Sequence, residues 1–370
     1  MVDTTNYSDK DFIKQIPEMV QQLDMYRAGN DRIKPVDISL DEVTKEKFGF
    51  TKETLFEKIG INPRVTTMQN IYSMPDQSIR WIVPEIIREA VTLGMRQAPF
   101  YPAIIASDQP ISGLTAIMPS INMSDAVPAK VNEAETIPLG DISFGQKSVR
   151  LFKIGKGFKL TDEVKNYVSL DVLGIYLRDF GVQLGYAMDS LAMDTLINGN
   201  KVDGSESSPV IGVTDPDKGI TYKDMLRIWV RAARMGRNFQ TMIGSENQAV
   251  ELLDLPEFKD RHQGTTEATL NVKSPVPKNA DMYIHPGTPE KQILMVDPSA
   301  ALIKLTARQL MMESERIVSN QTEAVYASLT TGFSKMYNDA TLLLASDKKF
   351  SDYGFPTSMN VDPFLLVNLE

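Results

Sequence analysis

The chain has 370 residues, 42% of them hydrophobic, which suffices for a substantial core in two domains or one elaborate one and excludes general disorder. Its 48 acidic residues outnumber 39 basic ones, and a net charge of -9 with no evident basic cluster weighs against a specific nucleic-acid binder. There is no cysteine for a disulfide, a thiolate metal site or a thiol nucleophile, no apolar run approaches the roughly 20 residues that span a bilayer, and the N-terminal MVDTTNYSDKDF has neither a basic n-region nor an apolar h-region, so residence in a cytoplasm is expected.

Residues 1–80 read as short helices separated by breakers. Ser8 can cap a helix carrying Phe12, Ile13 and Ile16, with Pro17 interrupting it before Met19, Val20 and Leu23. Ser39-Leu40-Asp41-Glu42 fits a capping box, and a further short helix over Thr54 to Ile59 ends at Gly60 and Asn62-Pro63. Trp81 to Arg96, with Pro84 near the first turn and Ile86, Ile87, Ala90, Val91 and Leu93 following, predicts a helix of about three to four turns.

Next comes a long two-stranded arm, Thr115 to Met123 going out and Ile142 to Thr161 coming back, around a polar tip from Asp125 to Asp141. An isolated hairpin is marginal in water, and this one carries Ile142, Phe144, Val149, Leu151, Ile154, Phe158 and Leu160. A second subunit is the expected cover. Within the returning strand, Gly155-Lys156-Gly157 lacks the Gly-Lys-Ser/Thr ending of a phosphate loop and reads as a bulge or bend.

From Ser169, a candidate N-cap, apolar residues recur at Leu173, Leu177, Phe180, Leu184, Met188, Leu191 and Ala192, which predicts one helix ending at Asn198-Gly199-Asn200. Such a helix is roughly 40 Å long, enough to brace more than one piece of structure. Gly174, Gly181 and Gly185 share a face and point to close backbone packing, with a helix built to bend as the alternative. Residues 199–219 read as a loop and boundary. Thr221 to Met235 is a predicted helix with Leu226, Val230 and Ala233 inward, Gln240 to Ile243 a strand, and Ser245-Glu246-Asn247-Gln248 a capping box opening a helix that Pro256 closes. Met282 to His285 and Gln292 to Val296 read as a hairpin turned at Pro286-Gly287-Thr288-Pro289. Strands follow over Ala301 to Ala345, where Val325, Ala327, Leu329 and Thr331 alternate, Gly332-Phe333 interrupts, and Thr341 to Leu344 resumes. The tail 346–370 holds Phe364, Leu365, Leu366 and Val367, which need cover.

The order of a long hairpin, then KIGKGFKLTDEV, then a long helix ending in AMDSLAMDTLINGN resembles the E-loop and spine helix of Hong Kong 97-type major capsid proteins of tailed bacteriophages, a fold shared by encapsulin nanocompartments. That resemblance implies an α+β protein with an N-terminal arm region (1–80), a junction helix (81–114), an E-loop hairpin with the start of the P-domain (115–161), a spine helix and linker (162–219), an A-domain (220–300), P-domain return strands (301–345) and a C-terminal tail (346–370). It also implies self-assembly of copies into pentamers and hexamers of an icosahedral shell around double-stranded DNA that is not read by sequence. Scaffolding, portal and decoration proteins are the further implied partners, and no membrane is involved. Lys130, Glu133, Glu135 and Phe144 are the candidate intersubunit contacts. Some relatives join an E-loop Lys to a neighbour's Asn with help from a Glu; Lys130, Lys147, Asn320 and Glu323 are residues of those types here, and no motif pairs them, so no catalytic residue is assigned.

Chemistry is otherwise sparse, and no cofactor or metal is expected. His262 and His285 have neither an HExxH context nor a nearby acid, and both read as surface residues. Asp215-Pro216-Asp217-Lys218-Gly219 reads as a turn because it lacks the remaining ligands of a calcium loop. Ser205, Ser207, Ser208 and Ser245 sit in no G-x-S-x-G, and the pairs Glu133/Glu135 and Glu313/Glu315 read as solvated. Two other readings stay open: an encapsulin-like shell loading a cargo enzyme, and a small-molecule α/β enzyme built on residues 220–300. A pocket with converging polar groups is not expected, and one joining a histidine to a carboxylate favours the enzyme.

Overall fold

A computed structural model describes residues 11–27, 39–97, 100–111, 115–121, 142–200, 207–234, 236–255 and 280–350. In chain order the helices are α1 (Asp11–Arg27), α2 (Leu40–Phe48), α3 (Lys52–Lys58), α4 (Met68–Tyr72) and α5 (Ile82–Gln97). Strands β1 (Ile105–Pro110), β2 (Thr115–Ile121), β3 (Ile142–Arg150) and β4 (Phe152–Thr161) follow, then α6 (Asp162–Tyr167) and α7 (Leu170–Asn198). The remainder is β5 (Val210–Val213), α8 (Tyr222–Arg234), β6 (Thr241–Gly244), α9 (Glu246–Leu253), β7 (Asp281–Ile284), β8 (Gln292–Val296), β9 (Leu302–Ile317), β10 (Thr322–Lys335) and β11 (Thr341–Lys349). Helices and mostly antiparallel strands make an α+β protein. Two compact units form: Met1–Pro99, Phe152–Met188 and Thr306–Thr331 in the first, and Phe100–Leu151, Asp189–Leu305 and Gly332–Glu370 in the second.

In the first unit, α1 runs unbroken through Pro17, contrary to the expected interruption. A mid-helix proline costs about 3 kcal/mol. Phe12, Ile16, Met19, Val20 and Leu23 are all buried on one side of this helix, and each contributes about 1.5–3 kcal/mol, so the burial prevails. Arg27 at its end forms a buried fork with Glu85 of α5, at 2.8 and 2.9 Å. The capping box at Ser39 forms as expected, with Ser39 Oγ accepting from Glu42 N and Ser39 N donating to the Glu42 carboxylate.

Helix α5 crosses α7 at two glycines. A Cβ on Gly181 would collide with the Val91 carbonyl and one on Gly94 with the Arg178 carbonyl, so the backbones touch there, as the glycine spacing implies. Gly174 faces open space and serves no such contact. Strand β10 pairs antiparallel with β4 from Thr322↔Thr161 to Thr331↔Phe152 without a register shift. Gly155 and Gly157 are therefore neither bulge nor bend. A Cβ on Gly157 would lie 2.6 Å from Tyr326 Cδ1, so the glycine leaves room for the ring of its cross-strand partner. Gly332-Phe333 does not interrupt either, since β10 continues to Lys335 and Phe333 is buried.

The second unit is built on a five-stranded sheet in the order β5-β11-β8-β6-β7. Strands β7 and β8 are not hairpin partners, because β6 lies between them, parallel to β7 and antiparallel to β8. All four residues of β6 are buried, which makes it a central strand. Helix α8 covers the sheet with Met225, Ile228, Trp229 and Ala232. The expected inward face was the other one: Val230 is 68% exposed and Ala233 is exposed. Trp229 decides the orientation, since its ring offers the larger apolar area and its Nε1 donates to the Phe239 carbonyl at 3.2 Å. At α9, Ser245 Oγ accepts from Gln248 N, while the Gln248 amide donates to Glu251. Strands β2 and β3 form a two-stranded sheet of their own, in register from Thr115↔Arg150 to Ile121↔Ile142 with an irregularity between Met118 and Ser120. The expected return strand is broken at Leu151, and β4 belongs to another sheet.

Candidate functional site

Helix α7 is apolar on more sides than its core requires. Leu173, Leu177, Phe180 and Leu184 are buried, and Phe180 meets Phe158 edge-on at 5.0 Å in the first unit. Val172, Ile175 and Tyr176, spaced to share one face, point outward, with Ile175 61% and Tyr176 69% exposed. Tyr167 on α6 is 84% exposed. Exposed Asp171 and Asp179 lie beside these apolar side chains on the helix. Sequence reasoning missed the exposed apolar positions, although they were visible as residues lying off the core stripe.

The predicted contact residues fare differently. Lys130, Glu133 and Glu135 lie outside the described residues, as does His262. Phe144 lies on β3, and Lys147 pairs with Met118 in the β2–β3 register. Asn320 is exposed in the turn between β9 and β10, whereas Glu323 is tied to the buried Lys165 at 3.0 Å.

His285 is not a surface residue. It is 3% exposed, with its ring edge-on to Phe100 at 5.5 Å, and burial pushes its pKa below the usual histidine value. It joins Ser190, Met193, Asp194 and Asn198 around a cavity of about 340 Å³ in the second unit. This is the polar pocket the sequence reading did not expect. Its chemistry can be read from the hydrogen bonds. His285 Nδ1 accepts from Gly287 N at 3.0 Å, so the neutral ring carries its proton on Nε2, the atom 3.4 Å from Ser190 Oγ. That nitrogen donates to Ser190 and cannot take its proton, and Asp194 accepts from Asn198 at 2.6 Å rather than orienting the imidazole. A serine-histidine pair is present in this form without the polarity that nucleophilic catalysis needs. Beneath it, the buried Asp189 accepts from Tyr101 N at 2.9 Å and Phe100 N at 3.4 Å. Desolvation pushes its pKa up to about 6, partly offset by those two amides.

Among the described residues no group of three or more His, Asp or Glu is placed to hold a metal ion, and no helix is long and apolar enough to cross a membrane. No family model and no curated protein matches the chain. Solved structures of similar fold do. The virus-like particle protein of Pyrococcus furiosus aligns at 13% identity and TM-score 0.48 over 70% of this chain and 98% of its own. A chain from Microbacterium phage Oxtober96 aligns at 12% identity and TM-score 0.48 over 67% and 91%. The SrpI encapsulin of Synechococcus elongatus PCC 7942 aligns at 11% identity and TM-score 0.46 over 69% and 91%.

Proposed function

We propose that the chain is a shell-forming subunit, the major capsid protein of a tailed bacteriophage. Its copies gather into pentamers and hexamers of an icosahedral head around double-stranded DNA, inside a host cytoplasm and then in the virion. The observation that carries this reading is the two-stranded β2–β3 sheet, which pairs with no other described strand. Two strands alone are marginal in water, and although Val149 of β3 is buried within its own chain, this reading gives the rest of the sheet a neighbour's surface as cover. The outward apolar face of α7 is a surface of the required character.

In this reading the arm of one copy lies over the next, with Lys130, Glu133, Glu135 and Phe144 making contacts along it. Weak pairwise contacts repeated through a closed shell then give a stable object. The DNA is enclosed rather than gripped, consistent with the net charge of -9. Portal, scaffolding and decoration proteins would meet the shell from outside this chain.

Negative-stain microscopy and sedimentation of the purified full-length chain test the proposal. Closed particles are expected, and nucleic acid rather than an enzyme inside particles taken from the producing cell. A species that stays monomeric at every concentration contradicts it, and an enzyme cargo replaces the phage head with a compartment.

A further inference from the structure

At one end of the five-stranded sheet the second unit holds a cleft of about 340 Å³. Gly219, past the end of β5, Ser245, just after β6, and Ser346, near the end of β11, all line it. These strand ends gather because β5 runs parallel to β11, while Gln292 and Ile293 at the start of β8 pair with Ala345 and Gly244. Open α/β sheets seat ligands outside the carboxyl ends of their strands. The volume is at the small end of ligand pockets and calls for a small occupant.

Glu251 of α9 is fixed in this cleft before any ligand arrives. One carboxylate oxygen accepts from Ile220 N at 3.1 Å and the other from Gln248 Nε2 at 3.2 Å. Gly219, at a φ of 70°, leaves the space the carboxylate fills, since a Cβ there would collide with Oε1. The bond from Nε2 also sets the Gln248 amide, because its NH2 and not its oxygen must face a carboxylate. Gln248 is 4% exposed, and its Oε1 is buried with no donor among the described residues. A buried acceptor without a donor is costly, so this oxygen requires an N–H or O–H from what fills the cleft.

Glu290 and Asp347 line the same cleft and are exposed, and Lys291 is the one cation among its described lining residues. Three carboxylates against one ammonium leave the lining with a net charge of -2. The amino end of α9 offsets only about half a charge, and Ser245 Oγ already accepts from Gln248 N there. The described acids form no group placed to hold a metal ion. An organic cation answers both needs, since its N–H groups also satisfy the buried acceptor.

We propose that this cleft binds a small linear diamine or polyamine. One ammonium donates to Glu251 and to Gln248 Oε1, and a second meets Glu290 and Asp347. Glu251 retains lone pairs for this, because a carboxylate accepts about four hydrogen bonds. Two ammonium groups match the net charge, and the methylene chain between them spans the cleft. The site lies within one unit of one copy and stands independently of the shell reading.

Isothermal titration calorimetry of the full chain at constant ionic strength tests this, with putrescine and spermidine as probes and butylamine and calcium chloride as comparators. One diamine per chain is expected, bound at least about tenfold more tightly than butylamine, which has a single ammonium. Glu251→Gln, and separately Gln248→Met, which removes the acceptor while conserving volume, are each expected to weaken putrescine at least about tenfold. Glu290→Gln with Asp347→Asn, both exposed, is expected to weaken it about threefold. Far-UV circular dichroism and thermal melting check each fold, and if a change at Glu251 or Gln248 does not fold, the exposed pair is read in its place. An unaltered chain that binds neither probe at millimolar concentration overturns the proposal, as do folded variants that bind undiminished. Butylamine bound as tightly as putrescine overturns the diamine assignment, and calcium bound with the same dependence on Glu251 and Gln248 overturns it in favour of a metal site.

Discussion

The two units solve the problem of exposed surface differently. The first is drawn together by backbones in contact at Gly94 and Gly181, and the outer side of α7 exposes the apolar Val172, Ile175 and Tyr176 beside Asp171, Arg178 and Asp179. In the second, a sheet core is tied by buried polar groups such as Asp189 and Asp224, and α8 and α9 expose the charges of Lys223 and Glu246. The contrast teaches what each surface can do. An apolar face adheres with little regard for salt, whereas a charged rim selects its partner and weakens as salt screens it.

The largest effect that sharpens this contrast concerns the glycine crossing. Gly181→Ala pushes a Cβ into the Val91 carbonyl and is expected to cost about 3 kcal/mol, seen as a lower midpoint in thermal or denaturant unfolding. Gly174→Ala, with open space at that position, is expected to stabilise the helix by about 1 kcal/mol. Equal effects at the two sites would mean that the helices do not touch there.

A slightly smaller effect tests the polar ties of the second unit. Asp189 has a folded-state pKa of about 6, above the unfolded value of 3.8, so the native state holds the proton more tightly. Its contribution is therefore full below the unfolded value and is lost as pH rises from about 4 through about 6, by about 2–3 kcal/mol. Asp189→Asn, a neutral group that still accepts from Tyr101 N, is expected to flatten the dependence of melting temperature on pH in that window. An unchanged slope would mean the carboxyl is not desolvated.

The smallest effect on the fold is expected outside it. Ile175→Ser with Tyr176→Ser alters exposed positions and should change subunit stability by no more than about 0.5 kcal/mol. The same variant should lower the assembled fraction seen by sedimentation, at low and high salt alike. Assembly at the unaltered level would leave the α7 face without its assigned role.

Local signals were legible and non-local ones were not. The Ser39 capping box and the helix from Leu170 to Asn198 follow from residue types within a few positions of each other, and both formed as read. The insertion of β6 between β7 and β8 joins strands separated by many residues, and nothing between Gln292 and Pro286 announces it. On α8 two apolar stripes compete, Leu226-Val230-Ala233 against Met225-Ile228-Trp229-Ala232, and sheet contact rather than period decided between them. His285 looked like a loop residue because its burial depends on Phe100 and Ser190, both far away in the chain. The exposed apolar residues of α7 were visible only as an excess over the core stripe, which periodicity arguments assign to a core by default.

Hydrogen exchange of the β2 and β3 amides, followed as subunit concentration rises, tests most directly whether this sheet is completed by a neighbour. Rapid exchange in dilute single subunits and strong protection in assembled ones are expected. Slow exchange throughout both strands in a species that stays single at every concentration would contradict the account.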